Sequence, residues 1–390
     1  MATVPAAYPF IEVKIDTSAL QPVAQRAPGV IAVVGITPDG ADGGTAALNT
    51  PFAVDTLAQA AALFAKVADD KTVTETRLYT SLKGAMLQDP KPSKIYGVRV
   101  KDDYAAGLAA LEALDDVTFV SLANETSVNM LKELKSHVEN MSSQGYKRIG
   151  VAMVDPTTAR SNTYAKDVTT AVSALQSSAS RMVVIAARGA VSDPKAGAVG
   201  DVATAAMAAI AGYEPQVSTV LKRVRGVSIP KGAQYGPTEI KDLSEAGIIP
   251  LIQPALIVGG GFYFAEGRTF TTDASLLYID IVRTLDDIDF RLKAGLIGLI
   301  GDARITKPGL ILLKSQTEGI LGPLQRRAVI DGFSIDIPVL NVLSIPEAAR
   351  TPTDTTIVTE ARANRTVDMF VSVTYGPAVH QLRVTLAPKF

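Results

Sequence analysis

Four stretches, KIYGVRV (94–100), VTFVSL (117–122), RIGVAMV (148–154) and RMVVIAA (181–187), decide how the middle of this 390-residue chain is read. Each is short, apolar and rich in β-branched residues, and helical segments near Asp103, Ser127, Ser161 and Gly197 follow them in turn. Strands that alternate with helices predict a parallel sheet flanked by helices, because a parallel connection has to cross over the sheet. Val154, Asp155 and Pro156 close the third strand in a turn before its helix.

Upstream, a buried-type strand over 30–35 is followed by a glycine-rich loop over 37–49, an amphipathic helix over 54–68 and a second helix over 76–88. Still earlier, residues 8–16 alternate, with Ile11, Val13 and Ile15 on one side and Phe10, Glu12, Lys14 and Asp16 on the other, as in a half-buried strand. Residues 17–28, with Pro22 and Pro28, read as a linker that isolates this strand, so it pairs either with its own sheet or with something outside its domain.

Downstream, residues 214–237 are rich in Pro and Gly, carry Lys222, Arg223 and Arg225, and mark a crossing between domains. A short helix over 238–246, an apolar strand over 248–258, and long helices over 275–299 and 308–331 follow. Strands are expected over 336–343, 367–375 and 381–386. The last, with Leu382, Val384 and Leu386, lies where it can reach beyond its domain.

Composition narrows the chemistry. Lys and Arg (38) balance Asp and Glu (39), which gives no overall drive toward nucleic acid or an anionic membrane. Cysteine is absent and histidine occurs twice, at His137 and His380, so thiolate ligands and multi-histidine metal sites within one chain are excluded. No cofactor or metal is expected. The N-terminus lacks a basic segment ahead of an apolar run, and apolar stretches fall short of the ~20 residues that span a bilayer. Folding in the cytoplasm and no membrane insertion are therefore expected. The positive mean hydropathy of +0.21 fits hidden subunit interfaces or simply abundant Ala and Gly.

Candidate sites yield little chemistry. Gly29 and Gly35 flank the first strand, and Gly40, Gly43 and Gly44 follow it, but no G-x-G-x-x-G or phosphate-loop lysine is present. Gly259–Gly261 reads as a bend, and Asp286, Asp287 and Asp289 as a solvated face or an intersubunit ion pair. The serines lie in no G-x-S-x-G elbow. His137 is expected to be solvated or capping, and His380 exposed in a turn. An α/β enzyme, such as a hydrolase or nucleotide-dependent transferase, remains the alternative reading from the middle alternation.

The run EIKDLSEAGIIP (239–250), then GGFYFAEGRTF (260–270), LYIDIVR (277–283) and Ile305-Thr306-Lys307, resembles the core of contractile tail sheath proteins of phages, bacteriocins and injection systems. The resemblance is specific over 239–390, looser over the N-terminal strand and 30–35, and departs at Ala265-Glu266, where Trp or a polar residue commonly precedes Gly-Arg-Thr. It implies a mixed α/β, multidomain sheath fold with a discontinuous inner domain, an inserted α/β domain and extended terminal strands. The corresponding segments are an N-terminal arm and linker (1–28), the first part of the body (29–90), an inserted outer α/β domain (91–215), a C-terminal inner domain (216–366) and C-terminal arm strands (367–390).

What the resemblance implies of function is a structural subunit that stacks as hexameric rings around an inner tube and contracts to drive the tube through an envelope. A ring-forming shell or baseplate component is the neighbouring possibility. Partners would be further copies of the chain, the tube, and baseplate and tail-terminator proteins, assembled in the host or producer cytoplasm and ending in a virion tail or released particle. Arms bearing Phe10, Ile11, Val13, Ile15, Leu382, Val384 and Leu386 would add strands to neighbours. In the helix after Ile305, Lys307 and Lys314 share a face while Leu310, Leu313 and Leu324 can turn to the core, so Lys307, Lys314, Arg326 and Arg327 are the candidate tube contacts. Arg326 and Arg327 also suit the helix C-terminus. Gly267, Arg268 and Thr269 are expected to be structural, with Arg268 bridging carboxylates or carbonyls.

Overall fold

The computed structural model describes residues 29–193 and 198–380. The arm residues Phe10, Ile11, Val13, Ile15, Leu382, Val384 and Leu386 lie outside the described residues. The first elements are β1 (Val30–Ile36), β2 (Pro51–Ala53), α1 (Leu57–Phe64), β3 (Lys66–Val67), β4 (Val73–Thr74), α2 (Arg77–Met86) and β5 (Lys94–Val100). They lead into α3 (Tyr104–Ala110), β6 (Phe119–Leu122), α4 (Val128–Ser143), β7 (Ile149–Met153), α5 (Tyr164–Val172) and β8 (Met182–Ala186). Then come β9 (Val191–Asp193), β10 (Ala198–Val199), α6 (Val202–Ala211), β11 (Arg223–Val224), α7 (Pro237–Glu245), β12 (Ile248–Ile252) and β13 (Phe262–Phe264). The chain continues through α8 (Ile279–Leu296), α9 (Lys307–Arg326), β14 (Gly332–Asp336), α10 (Pro338–Ser344), α11 (Pro352–Asn364) and β15 (Phe370–Thr374).

One nine-stranded sheet, in the order β11-β13-β12-β8-β7-β6-β1-β5-β2, dominates the larger of two compact units. Its six central strands are parallel, as the alternation predicts, and β2 and β13 join antiparallel. The central strands are buried along almost their whole length, which is why they read as continuous apolar runs. Ile31, Val33, Val151 and Val183 face a core shared with Phe64, Leu78, Leu82 and α6. Val30, Ala32, Val34 and Val120 face the opposite core with Tyr104, Leu134 and Val168. All ten residues of α6 are buried. Its Ala-rich composition lets it lie between α2 and the sheet without overpacking.

β1 pairs with β5 over Val30↔Lys94 to Ile36↔Val100, so segments 29–90 and 91–215, expected as separate domains, contribute to one sheet. The division into compact units falls elsewhere. Among the described residues, the larger unit holds 29–193, 198–290, 323–334 and 371–380, and the smaller holds 291–322 and 335–370.

Within the smaller unit, Leu310, Val339, Leu340, Val342 and Val358 form a core of their own. Two expectations fail here. The strand expected over 336–343 is β14 up to Asp336 and then α10, because Pro338 at the first helical position starts a helix. α11 was not expected, yet Thr351 and Asp354 form a reciprocal capping box ahead of it, with Pro352 at its first turn. Similarly, β12 stops at Ile252 rather than 258. Pro254 and three consecutive glycines with positive φ, Gly259 (104°), Gly260 (64°) and Gly261 (110°), turn the chain back into β13.

Candidate functional site

The Gly267–Thr269 turn joins three parts of the larger unit. Thr269 is fully buried; its Oγ1 donates to Leu276 O at 2.7 Å, and its N–H donates to Leu277 O at 2.9 Å. Ile279 N, at the start of α8, donates to Gly267 O at 2.9 Å. A Cβ on Gly267 would come within 2.6 Å of Thr219 Oγ1, so a larger residue here would have to displace that hydroxyl. Arg268, half-buried, reaches Glu266 Oε2 at 3.8 Å and lies 5.8 Å from the Tyr278 ring centroid. The motif is thus a brace between strand β13 and helix α8.

α8 carries Arg283, buried beside the end of α6. Its Nη2 donates to Tyr213 O at 2.6 Å and its Nη1 to Ile210 O at 3.1 Å, satisfying carbonyls that a helix C-terminus leaves open. Burial pushes the guanidinium down to about 10, which leaves it charged at neutral pH. Three residues later in the acidic triplet, Asp286 pairs with Arg181 at 2.6 Å, so this carboxylate is an internal strut rather than a solvated face.

At the sheet's topological switch point, where β1 lies between β5 and β6, an α/β enzyme would keep a crevice. Here it is filled. A Cβ on Gly35 would meet Leu78 Cβ at 2.7 Å and Ala123 Cβ at 2.8 Å. Asp201 Oδ2 accepts from Ser81 Oγ at 2.5 Å and from Asn124 N at 2.9 Å. The glycine-rich loop after β1 is occupied by Arg99, which donates to Thr37 Oγ1, Pro38 O, Gly44 O and Ala46 O at 2.6–3.1 Å. Among the described residues no group of three or more His, Asp or Glu is arranged to hold a metal ion, and no helix is long and apolar enough to cross a membrane.

The histidines depart from expectation. His137 is 7% exposed, with its Nε2 2.8 Å from Arg148 Nη1, while Arg148 Nη2 donates to Leu111 O and Leu114 O. Because a guanidinium only donates, Nε2 accepts and the ring is neutral. Burial, then the neighbouring Arg148 charge, push the imidazole down to about 4. The alternation of polar residues around α4 concealed this, since the signal lies in Arg148, a cation at the mouth of an apolar strand. His380 is half-buried, sharing a 2.9 Å hydrogen bond with Ser218 Oγ and standing edge-on to Tyr278 with centroids 5.0 Å apart.

On α9, Leu310, Thr317, Ile320, Leu321 and Leu324 form the buried stripe. Lys307 is exposed and Lys314 partly so; seven residues apart, they stand about 20° from each other around the axis. Arg326 ends the helix and Arg327 follows it, both exposed. β14 and β15 form a two-stranded sheet with Phe370 59% exposed. Among the described residues this ribbon has two strands; two strands alone are marginal, and the edges of such a ribbon can take further strands.

No protein-family model and no curated protein matches the chain. Solved structures do. The helical sheath of the anti-feeding prophage in its contracted state aligns at 12% identity and a TM-score of 0.64, covering 99% of both chains. The contracted sheath complex of PVC, an extracellular contractile injection system, aligns at 13% identity and 0.65, covering 99% of this chain and 98% of that one. A sheath tail protein from Desulfitobacterium hafniense aligns at 12% identity and 0.57, over 84% of this chain and 93% of its own. At such low identity the likeness is one of fold, and the fold of this chain, nearly from end to end, is that of contractile sheath proteins.

Proposed function

We propose that this protein is the sheath subunit of a contractile tail or injection system, a structural component that polymerises around an inner tube. The observation that carries the reading is the extent of the likeness: 99% of the chain aligns with sheath subunits. The filled switch-point crevice draws support away from the enzyme alternative.

In this reading subunits stack as hexameric rings. The terminal segments, with Phe10, Ile11, Val13 and Ile15 at one end and Leu382, Val384 and Leu386 at the other, leave their own subunit to pair with neighbours. The β14–β15 ribbon is the natural acceptor, since added strands would satisfy its open edges and enlarge a sheet too small to be stable alone. Strand addition keeps neighbours connected while rigid units shift, so contraction draws on a difference in packing between two lattices and needs no nucleotide. Lys307 and Lys314, with Arg326 and Arg327, meet an acidic tube surface through weak, salt-screened contacts that release when the sheath widens. The baseplate and terminator partners, assembly in the producing cell's cytoplasm, and a final place in a virion tail or released particle belong to this proposal.

Sedimentation velocity of the purified full chain tests it. Species far larger than the 40.9 kDa monomer, shifting with protein concentration, are expected. A single monomeric boundary at every concentration, with or without a tube protein, would overturn it.

A further inference from the structure

The six residues after β15 are pinned at both ends to the larger unit. Tyr375 donates its hydroxyl to Asp280 Oδ2 at 2.7 Å, and Asp280 is only 4% exposed. Burial and this carboxylate push the Tyr375 phenol up. At the other end, His380 Nε2 shares its hydrogen bond with Ser218 Oγ, and its ring meets the Tyr278 ring at 81°. Between these points, Gly376, Pro377, Ala378 and Val379 are exposed.

Both anchor points are set by one piece of structure. The Gly267–Thr269 turn fixes Tyr278 and Asp280 through Leu277 O and Ile279 N, and Arg268 forms a backbone bridge with Tyr278. The same turn presses against Thr219, the residue next to Ser218.

We infer that residues 375–380 form a clasp that fixes the root of the C-terminal arm on the subunit that supplies it, with the Gly267–Thr269 turn as its seat. The existence of the clasp rests on this geometry; its role in assembly rests on the strand-exchange reading above. With the clasp closed the chain is held as far as His380; with it open, only as far as β15. Adding six residues to a tether of about ten lowers the effective concentration of its end by about twofold, from the −3/2 power of length, before any loss of direction is counted.

The lack of native cysteine makes the test clean. In the full chain, Ser218→Cys with His380→Cys is treated with a short thiol-to-thiol cross-linker, and the unassembled subunit is mapped by mass spectrometry. An intramolecular link between the two peptides is expected, and linked protein should assemble like wild type. A second variant, Tyr375→Phe with His380→Ala, should keep the wild-type circular dichroism spectrum yet need at least about twofold more protein to assemble. No intramolecular link overturns the clasp. Linked protein that cannot assemble, or an open-clasp variant with the wild-type threshold, overturns its role. If wild-type protein never assembles, the sheath reading and the clasp's role fall together, while the cross-link still decides whether the clasp exists.

Discussion

Acid should weaken this fold through a single imidazole. His137 accepts a hydrogen bond from Arg148 in a site 7% exposed, and its folded pKa is held down to about 4, against about 6.5 in an unfolded chain. The folded state therefore binds fewer protons than the unfolded state between these values. The His137 contribution is fully present above pH 6.5 and is lost as pH falls toward the folded pKa. Linkage gives a loss of about 2 kcal/mol at pH 5 and about 3 kcal/mol at pH 4. His137→Gln keeps an acceptor for Arg148 and cannot titrate, so it should cost little at pH 8 and gain on wild type as the pH drops. Because the chain has no tryptophan, urea unfolding followed by far-ultraviolet circular dichroism at pH 8, 6, 5 and 4 is the suitable assay. Carboxylates titrate in both proteins, so the difference isolates the histidine. Parallel stability curves for the two proteins would refute the reasoning.

Arg283→Met removes the donors that hold Ile210 O and Tyr213 O at the end of α6 and should cost about 3 kcal/mol in urea unfolding at neutral pH, since buried acceptors lose charged partners. Gly267→Ala brings a Cβ within 2.6 Å of Thr219 Oγ1 and should cost about 1–3 kcal/mol, much of it recovered when Thr219→Ala is added; double-mutant additivity would contradict the contact. Deleting residues 1–16 should leave folded subunits that fail to form long tubes, a result read by electron microscopy; normal tubes from this deletion would remove the N-terminal arm from the mechanism. Lys307→Glu with Lys314→Glu should leave the melting temperature unchanged and abolish salt-sensitive binding to a tube protein in a pull-down.

The central parallel sheet was legible because its strands are buried on both faces and so read as uninterrupted apolar runs separated by helices. The helices were placed well where an apolar stripe repeats, as in α2, α4 and α8. What escaped was carried by single residues. Pro338 converts an apolar segment that reads as a strand into helix α10, and the Thr351–Asp354 box opens α11 in a stretch with few apolar residues to mark a helical stripe. The long apolar run after Ile248 concealed a loop, and Leu256 and Val258 in it are 96% and 98% exposed. Around the candidate assembly elements, sequence singles out Gly267, Arg268 and Thr269 as a motif, but one of its contacts lies far away along the chain. Thr219 lies 48 positions upstream of Gly267, and the carbonyls that Arg283 holds lie some 70 positions before it. Arg99 and Arg148 are similar: each looks like an ordinary strand cation, and only the fold delivers the carbonyls that each one gathers.

The central claim, that this chain is a sheath subunit, is tested most directly by electron microscopy of the purified full-length protein with no cofactor added, followed by helical reconstruction of whatever forms. The account predicts hollow tubes or stacked rings in which strands from neighbouring copies extend the β14–β15 ribbon. Discrete globular particles at every concentration, even in the presence of a tube protein, would contradict it.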